Sequence, residues 1–163
     1  MSGGICGWMR LSDSGSKGYI ENCYSYMKQL VCDLPMVHPS VGGLVGYGSV
    51  SSAGALEIVN CVGNLVNSRL IINGAANAGA SQAGTLFGKL PNNAVVKVSK
   101  CLYLDDGILG IGADAPNAVI SDLAAYPENV FSDGTTVRDM LNANASTNDA
   151  WSSWTVVNGL PLL

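Results

Sequence analysis

Residues 42–47 read Gly-Gly-Leu-Val-Gly-Tyr, and residues 58–62 read Ile-Val-Asn-Cys-Val. The same two motifs occur once before and once after this stretch. The earlier copy is Gly-Gly-Ile-Cys-Gly-Trp at 3–8 with Ile-Glu-Asn-Cys-Tyr at 20–24, and the later copy is Gly-Thr-Leu-Phe-Gly at 84–88 with Val-Ser-Lys-Cys-Leu at 98–102.

The spacing of the two motifs indicates a true repeat. Gly43 follows Gly4 by 39 positions, and Gly84 follows Gly43 by 41. The motif cysteines are 38 and 40 positions apart. We therefore expect three repeats of roughly 40 residues over 3–104, within a single domain spanning 1–163. In this alignment the third copy has one extra residue before its closing glycine, which predicts either a bulge there or the edge of the regular stack.

Each motif is typical of a short strand bounded by turns. The flanking glycines favour positive φ angles and tight turns. In Ile20-Glu21-Asn22-Cys23, strict alternation would place Ile20 and Cys23 on opposite faces of the strand. A corner at Asn22 in the left-handed conformation, which asparagine tolerates, would let both side chains face one core.

The repeat predicts an all-β fold. Its units are rich in Gly, Asn, Ser and β-branched residues, which are weak helix formers. A unit too small to bury its own apolar face stacks on its neighbours. We therefore expect a right-handed β-solenoid (β-helix) of a few coils, with two coils per repeat at about 20 residues each. A small propeller or a sandwich is the alternative.

Residues 43–46 and 58–61 resemble the GLUG-motif repeats of bacterial surface proteins, and the resemblance covers about residues 3–104. It implies a non-catalytic repeat module of a secreted or surface-anchored bacterial protein, located outside the cell at the bacterial surface. Such a module acts as a stalk or as an adhesin-like binding surface. Because Met1 opens directly into a repeat, we expect a larger parent chain with a signal or anchor upstream.

Residues 105–163 predict distorted coils and an irregular C-terminal cap. Asp105-Asp106-Gly107 is a turn signal, and 108–111 and 118–123 are predicted strands. A short helix is predicted over 135–142.

The residues from 135 onward include a predicted helix N-cap, a predicted turn and two tryptophans. Thr135 or Thr136 is the predicted N-cap, with Asp139 completing a capping box. The sequence Asn158-Gly159 predicts a hairpin turn. With Trp151 and Trp154, the segment is predicted to form a lid over one end of the solenoid, and many GLUG-type chains end similarly.

Composition excludes several classes of partner. The net charge is −4 and the eight Lys and Arg residues are scattered, which argues against nucleic acid and against anionic membranes. Only 12% of residues are charged, yet no apolar run approaches the roughly 20 residues of a membrane-spanning helix.

No residue pattern predicts an enzyme or a cofactor. His38 is the only histidine and lies in an apolar loop between prolines, and no Gly-x-Ser-x-Gly elbow is present. With two coils per repeat, Cys23, Cys61 and Cys101 would stack about 9–10 Å apart as buried free thiols, too far apart for a disulfide.

Two sets of residues are candidates for ligands. Trp8 and Tyr47 follow the closing glycine of their motifs, while Tyr24, Tyr26 and Tyr103 follow the cysteines. An exposed column of Trp8, Tyr24, Tyr47 and Tyr103 would stack on sugar rings, although repeated aromatics also serve packing. Asp105, Asp106 and Asp114 are candidate calcium ligands.

The expected partner is a surface glycan or a host or bacterial protein. The alternatives are a carbohydrate-binding or polysaccharide-lyase-like β-helix, and an accessory domain of a secreted peptidase. A lyase would need carboxylates clustered in a lateral groove beside an Arg or Lys, and the sequence shows no such cluster.

Overall fold

A computed structural model describes residues 2–13, 15–28, 40–50, 54–65, 71–72, 75–76, 83–89, 95–112 and 118–163. The strands of the repeats are β1 (Ser2–Gly3), β2 (Cys6–Leu11), β3 (Lys17–Glu21), β4 (Tyr24–Met27), β5 (Val41–Gly42), β6 (Val45–Val50), β7 (Ala55–Val59), β8 (Val62–Leu65), β9 (Ile71–Ile72), β10 (Ala75–Ala76), β11 (Ala83–Gly84), β12 (Phe87–Lys89), β13 (Val95–Ser99) and β14 (Cys101–Leu104). They are followed by β15 (Ala118–Ile120), β16 (Leu123–Tyr126), α1 (Glu128–Phe131), α2 (Thr135–Ala145), β17 (Thr155–Val157) and β18 (Leu160–Leu162). Cys32, His38 and Asp114 lie outside the described residues.

Equivalent strands of successive repeats pair in parallel and form four sheets. We name them sheet A (β1, β5, β11), sheet B (β2, β6, β12), sheet C (β3, β7, β13, β15) and sheet D (β4, β8, β14, β16). The strand pairs β9–β10 and β17–β18 are antiparallel. The chain is thus mostly β, with parallel sheets and few helices, which is compatible with a parallel β-helix.

Each repeat forms one layer, so the expectation of two coils per repeat is wrong. In sheet C, β7 pairs directly with β3 on one side and with β13 on the other. No strand of another repeat separates them, because a layer of four short strands and their turns needs all of the roughly 40 residues. Equivalent residues are therefore one strand spacing apart, about 4.8 Å.

The third repeat has no extra residue. Gly84 pairs with Gly42, so Thr85 occupies the position of the second glycine and the expected bulge is absent from this described pairing. A Cβ atom at Gly42 or Gly84 would collide with the carbonyl oxygen three residues further along the chain. This first glycine is the one that the tight turn requires, and it is the better landmark for aligning the repeats.

A left-handed corner joins sheet C to sheet D in every layer. The φ angles are 51° at Asn22, 52° at Asn60, 54° at Lys100 and 106° at Asp122. The predicted corner at Asn22 is confirmed. It reverses the alternation of the strand, so that Ile58 before the corner and Cys61 after it share one core.

A fourth, shorter layer follows the three repeats. Ile111 bridges Phe87, β15 pairs with β13, and β16 pairs with β14. The predicted strand over 118–123 is divided in the structure by the corner at Asp122, which separates β15 from β16.

The C-terminal segment packs on a flank of the sheets. Val62 and Leu102 point outward from sheet D and pack against Val137, Leu141 and Trp154. The predicted lid over one end stays a prediction. The flank needs cover because Val62 on β8 and Leu102 and Leu104 on β14 are apolar side chains on the outer face of sheet D.

The local predictions for this segment are mostly confirmed. The predicted helix is α2, and Asn158-Gly159 forms the hairpin turn between β17 and β18, with φ angles of 52° and 77°. The capping box is wrong, because the N-cap is Gly134 and the Asp133 carboxylate accepts the Thr135 N–H at 2.8 Å. None of the helices in the described ranges is long and apolar enough to cross a membrane.

Buried asparagines at the corners hold the C-terminal segment in place. Asn60 Nδ2 donates to Asn22 Oδ1 at 2.8 Å and lies 3.3 Å from the Leu141 carbonyl oxygen. Asn144 Nδ2 donates to Asn60 Oδ1 at 3.0 Å, and Trp154 Nε1 donates to Asn22 Oδ1 at 2.7 Å. One small network therefore joins two layers to the covering helix.

We expect Asn60→Ala to lower the free energy of unfolding by about 3 kcal/mol, because it leaves several buried polar groups without partners. Lys100→Ala is the matched control: Lys100 has the same corner conformation, but its Nζ bond to Thr147 is exposed. It should cost less than about 1 kcal/mol. Urea denaturation of both variants measures the difference, and equal losses would contradict the role given to the asparagine network.

Candidate functional site

A groove of about 550 Å³ lies between the outer face of sheet D and the C-terminal hairpin. We call it the polar groove. Strands β4 and β8 supply Tyr26 and Asn64, and α1 supplies Glu128 and Phe131. Its other wall is the hairpin turn at Asn158. The groove thus joins parts of the chain that are far apart in sequence, from Tyr26 to Leu160.

Asn64 is the least ordinary residue of the polar groove. It is 2% exposed, and its Nδ2 donates to the Tyr24 hydroxyl at 2.7 Å. Its Oδ1 atom is buried and has no hydrogen-bond partner among the described residues. An unpaired buried carbonyl costs about 1–3 kcal/mol, so this oxygen favours any donor that can enter the groove.

Tyr24 reinforces the polar character beneath the groove. Burial raises the pKa of its hydroxyl, so the phenol stays protonated well above neutral pH. It accepts the Asn64 N–H and keeps its own proton for donation. Its ring also packs against Trp154, with centroids 6.3 Å apart.

The rim of the polar groove combines charge with an aromatic face. Lys28 and Glu128 are exposed and of opposite sign, and Tyr26 is 38% exposed. Sites for polyhydroxylated ligands commonly combine an aromatic face with several hydrogen-bond donors and acceptors. In the described part of the chain, no group of three His, Cys, Asp or Glu residues could hold a metal ion.

The four predicted aromatic residues do not form one surface. Trp8 pairs with Tyr47 in sheet B, with ring centroids 6.5 Å apart, and Trp8 is 52% exposed. Tyr24 lies in sheet D beneath Trp154. Tyr103 pairs with Gly63 and points to the side of its strand opposite Leu102. The packing alternative therefore describes Tyr24 and Tyr103, and Trp8 with Tyr47 forms a separate exposed pair.

The acidic candidates lie in an exposed turn. Asp105 and Asp106 precede Gly107, whose φ is 76°, as the turn signal predicted. Asp114, the third proposed ligand, lies outside the described residues. A calcium site there stays a prediction.

Lys28, Asn64 and Glu128 were not predicted as site residues. The only sequence signal was at Asn64, a polar residue inside the otherwise apolar strand Val62–Leu65. Lys28 and Glu128 are exposed charged residues with no motif, and only the fold brings them to one groove.

The column of Cys23, Cys61 and Cys101, which we call the thiol column, is closer packed than expected. The N–H of Val62 donates to the Cys23 carbonyl at 2.9 Å, so Cys23 and Cys61 belong to directly paired layers. The expected separation of 9–10 Å is therefore wrong. The three are free thiols, with Cys61 and Cys101 buried and Cys23 partly exposed.

Burial raises the pKa of the Cys61 thiol well above its usual range, so this thiol keeps its proton. A hydrogen bond with Cys61 lowers the pKa of Cys23 to about 7. A hydrogen bond from Cys61 also lowers the pKa of Cys101. Cys61 has a single S–H proton, so it can stabilise a thiolate at Cys23 or at Cys101 but not at both. Because only Cys23 reaches solvent, where a thiolate is also hydrated, we assign the thiolate to Cys23.

No protein-family model, curated protein or solved structure matches this chain. The resemblance of residues 3–104 to GLUG-motif repeats therefore stays a prediction. What the molecule does must be inferred from its grooves and reactive groups.

We expect the rate of Cys23 alkylation by iodoacetamide to rise with pH with a midpoint near 7, because its thiolate persists down to that pH. An ordinary thiol has its midpoint near about 8.5. Cys61→Ala removes the hydrogen-bond donor and should raise the midpoint by about one pH unit. Mass spectrometry of the modified peptides gives the rates. Equal native reactivity of Cys23, Cys61 and Cys101 would contradict the assignment.

Proposed function

We propose that this chain is a non-catalytic repeat module that binds a short glycan in the polar groove. The scaffold is a right-handed β-solenoid of three full layers and a shorter fourth layer. Support for the winding comes from four parallel sheets whose strands follow the same order in each layer. Crossovers between parallel strands are right-handed in about 98% of known cases, which supports the handedness.

The observation that favours binding most is the unpartnered Oδ1 atom of Asn64. A buried carbonyl oxygen without a donor lowers stability, and a ligand hydroxyl would remove that cost. The exposed ring of Tyr26 offers a stacking face to the apolar side of a sugar ring. Lys28 and Glu128 at the rim can donate to and accept from further hydroxyl groups.

The proposed setting is the surface of a bacterium, as part of a larger secreted or anchored protein. The resemblance of residues 3–104 to GLUG-motif repeats supports this location and an adhesin-like role. The glycan would belong to a host or bacterial surface. A volume of about 550 Å³ suits one or two sugar units.

A stalk is the second candidate function. The observation that favours it is the stacking of equivalent strands in parallel layers, which sets a constant rise of about 4.8 Å per layer. Such a stack extends by the addition of further repeats. A stalk needs no ligand, so the two functions predict different outcomes on a glycan array.

The enzymatic alternatives gain less support. A polysaccharide lyase needs clustered carboxylates beside an Arg or Lys, and Glu128 is the carboxylate among the described residues that line the polar groove. An accessory role beside a secreted peptidase depends on sequence outside this chain.

We expect the purified chain to retain a glycan on an array, and Asn64→Leu to weaken that binding by about 10-fold or more, since it removes the free oxygen at similar volume. Tyr26→Ala should weaken it similarly by removing the stacking face.

Trp8→Ala is the matched control. It truncates an aromatic residue that is also exposed but lies on sheet B, away from the groove, so the affinity should not change. Retention of no glycan would favour the stalk. Loss of binding in the Trp8 variant alone would instead place the site on the Trp8–Tyr47 pair.

A further inference from the structure

Cys23 opens into a second groove, of about 260 Å³, which we call the apolar groove. Its walls are formed by Ile5, Tyr24, Trp154 and Leu162. Ile5 and Leu162 are about half exposed, which keeps the entrance open to solvent. Cys23 is partly exposed and lines this groove, so its thiol is accessible to small reagents that prefer apolar surroundings.

A second thiol lies directly behind Cys23. Cys61 occupies the equivalent position in the next layer and is fully buried, and the N–H of the following residue, Val62, donates to the Cys23 carbonyl at 2.9 Å. The parallel strand spacing of about 4.8 Å is within the Cα separation of about 4.4–6.8 Å that disulfides adopt. The Cα atoms of the pair therefore lie within the reach of a disulfide.

The backbone around the pair fixes both side chains. The Cys23 thiol lies 3.1 Å from the Glu21 carbonyl oxygen, and the Cys61 thiol lies 3.4 Å from the Ile20 carbonyl oxygen. The left-handed corners at Asn22 and Asn60, each directly before its cysteine, aim the two thiols into the same column. Because the corners are equivalent, neither thiol needs a different backbone conformation to approach the other.

We propose that Cys23 is a site of oxidation by hydroperoxides, preferably apolar ones, and that Cys61 is the thiol that resolves the oxidised residue into a disulfide. This site is separate from the polar groove and does not depend on the proposed glycan binding. The ordinary thiol chemistry of the column is enough for both steps, with the hydroperoxide as the oxidant.

The first step transfers one oxygen atom. The Cys23 thiolate attacks the outer oxygen of the hydroperoxide R–O–OH, the O–O bond breaks, and the leaving alkoxide takes a proton to give an alcohol. Cys23 becomes a sulfenic acid, oxidised by two electrons, and the hydroperoxide is reduced by two electrons. The lowered pKa of Cys23 supplies the thiolate near neutral pH.

The second step expels water. The Cys61 sulfur attacks the sulfur of the Cys23 sulfenic acid, an S–S bond forms, and the S–OH bond breaks. The hydroxide that leaves combines with the proton from Cys61 to give water. The product joins the first and second layers covalently. Cys101 is buried one layer further from the groove, so it cannot meet the oxidant first.

The test uses the full chain with cumene hydroperoxide, with hydrogen peroxide as the polar reagent. After blocking remaining thiols, digestion with trypsin and a glutamate-specific protease yields Cys23 in peptide 22–28 and Cys61 in peptide 58–69, separate from Cys32. We expect these two peptides to be linked, and linked faster by cumene hydroperoxide at equal concentration. A first-formed link from Cys23 to Cys6 or Cys32, or none that includes Cys23, would overturn the proposal.

Variants separate the two roles. Cys23→Ser should slow oxidation of the remaining thiols by about 10-fold, because a buried or ordinary thiol has little thiolate at pH 7. Cys61→Ser should let the Cys23 sulfenic acid accumulate, where dimedone traps it. Cys101→Ser is the matched control and should still form the Cys23–Cys61 link. Unchanged oxidation of Cys23→Ser would overturn the proposal, and the link in the wild-type chain tests it even if a variant fails to fold.

Discussion

The left-handed corner between sheets C and D is the constraint on which the rest of the structure depends. A strand that continued straight would point Ile58 and Cys61 to opposite sides, and one of the two would leave the core. The corner at Asn60 reverses the alternation, so both are fully buried. Because each repeat has the same corner, the layers place matching side chains one strand spacing apart, and the core of one layer continues into the next.

The same corner explains why the C-terminal segment lies on the flank. An asparagine in this conformation points its amide away from the apolar core, and burying that amide requires partners. Asn22 and Asn60 find them in each other, in Trp154 and in the helix α2. Lys100 has the same corner conformation, but its side chain donates to Thr147 at the surface. The buried asparagine network therefore does not extend to the third layer. Two asparagines thus determine where the covering segment docks.

Local features could be predicted from the sequence, and distances set by non-local pairing could not. The corner at Asn22, the helix α2 and the Asn158-Gly159 turn each depend on a few neighbouring residues, and all three are confirmed. The number of coils per repeat depends on which strands pair, and a period of roughly 40 residues is consistent with one layer or two. The same assumption of two coils placed the thiols too far apart for a disulfide.

The polar groove could not be predicted for a related reason. Its residues belong to four separate segments, and Glu128 has no local pattern that marks it. Asn64 gave a weak signal, since an amide inside an apolar strand must either find partners or lower stability.

The polar groove and the apolar groove differ in the buried group beside each of them, which is the Asn64 amide in the first and the Cys61 thiol in the second. Along the outer face of sheet D, Val62, Leu102 and Leu104 are covered by the helix and Trp154, and among the described residues Asn64 is the one with a buried side-chain oxygen that lacks a partner. In the core, Cys61 is enclosed and Cys23 is partly exposed, because among the described strands β4 is at an edge of sheet D while β8 lies between two neighbours. The repeat places similar residues at equivalent positions of each layer. The two candidate sites lie where one layer differs from the next. Among the described strands, β4 next to Cys23 is an edge strand, and β8 has the amide of Asn64 where β14 has Leu104, so each candidate site lies where one layer differs from its neighbour.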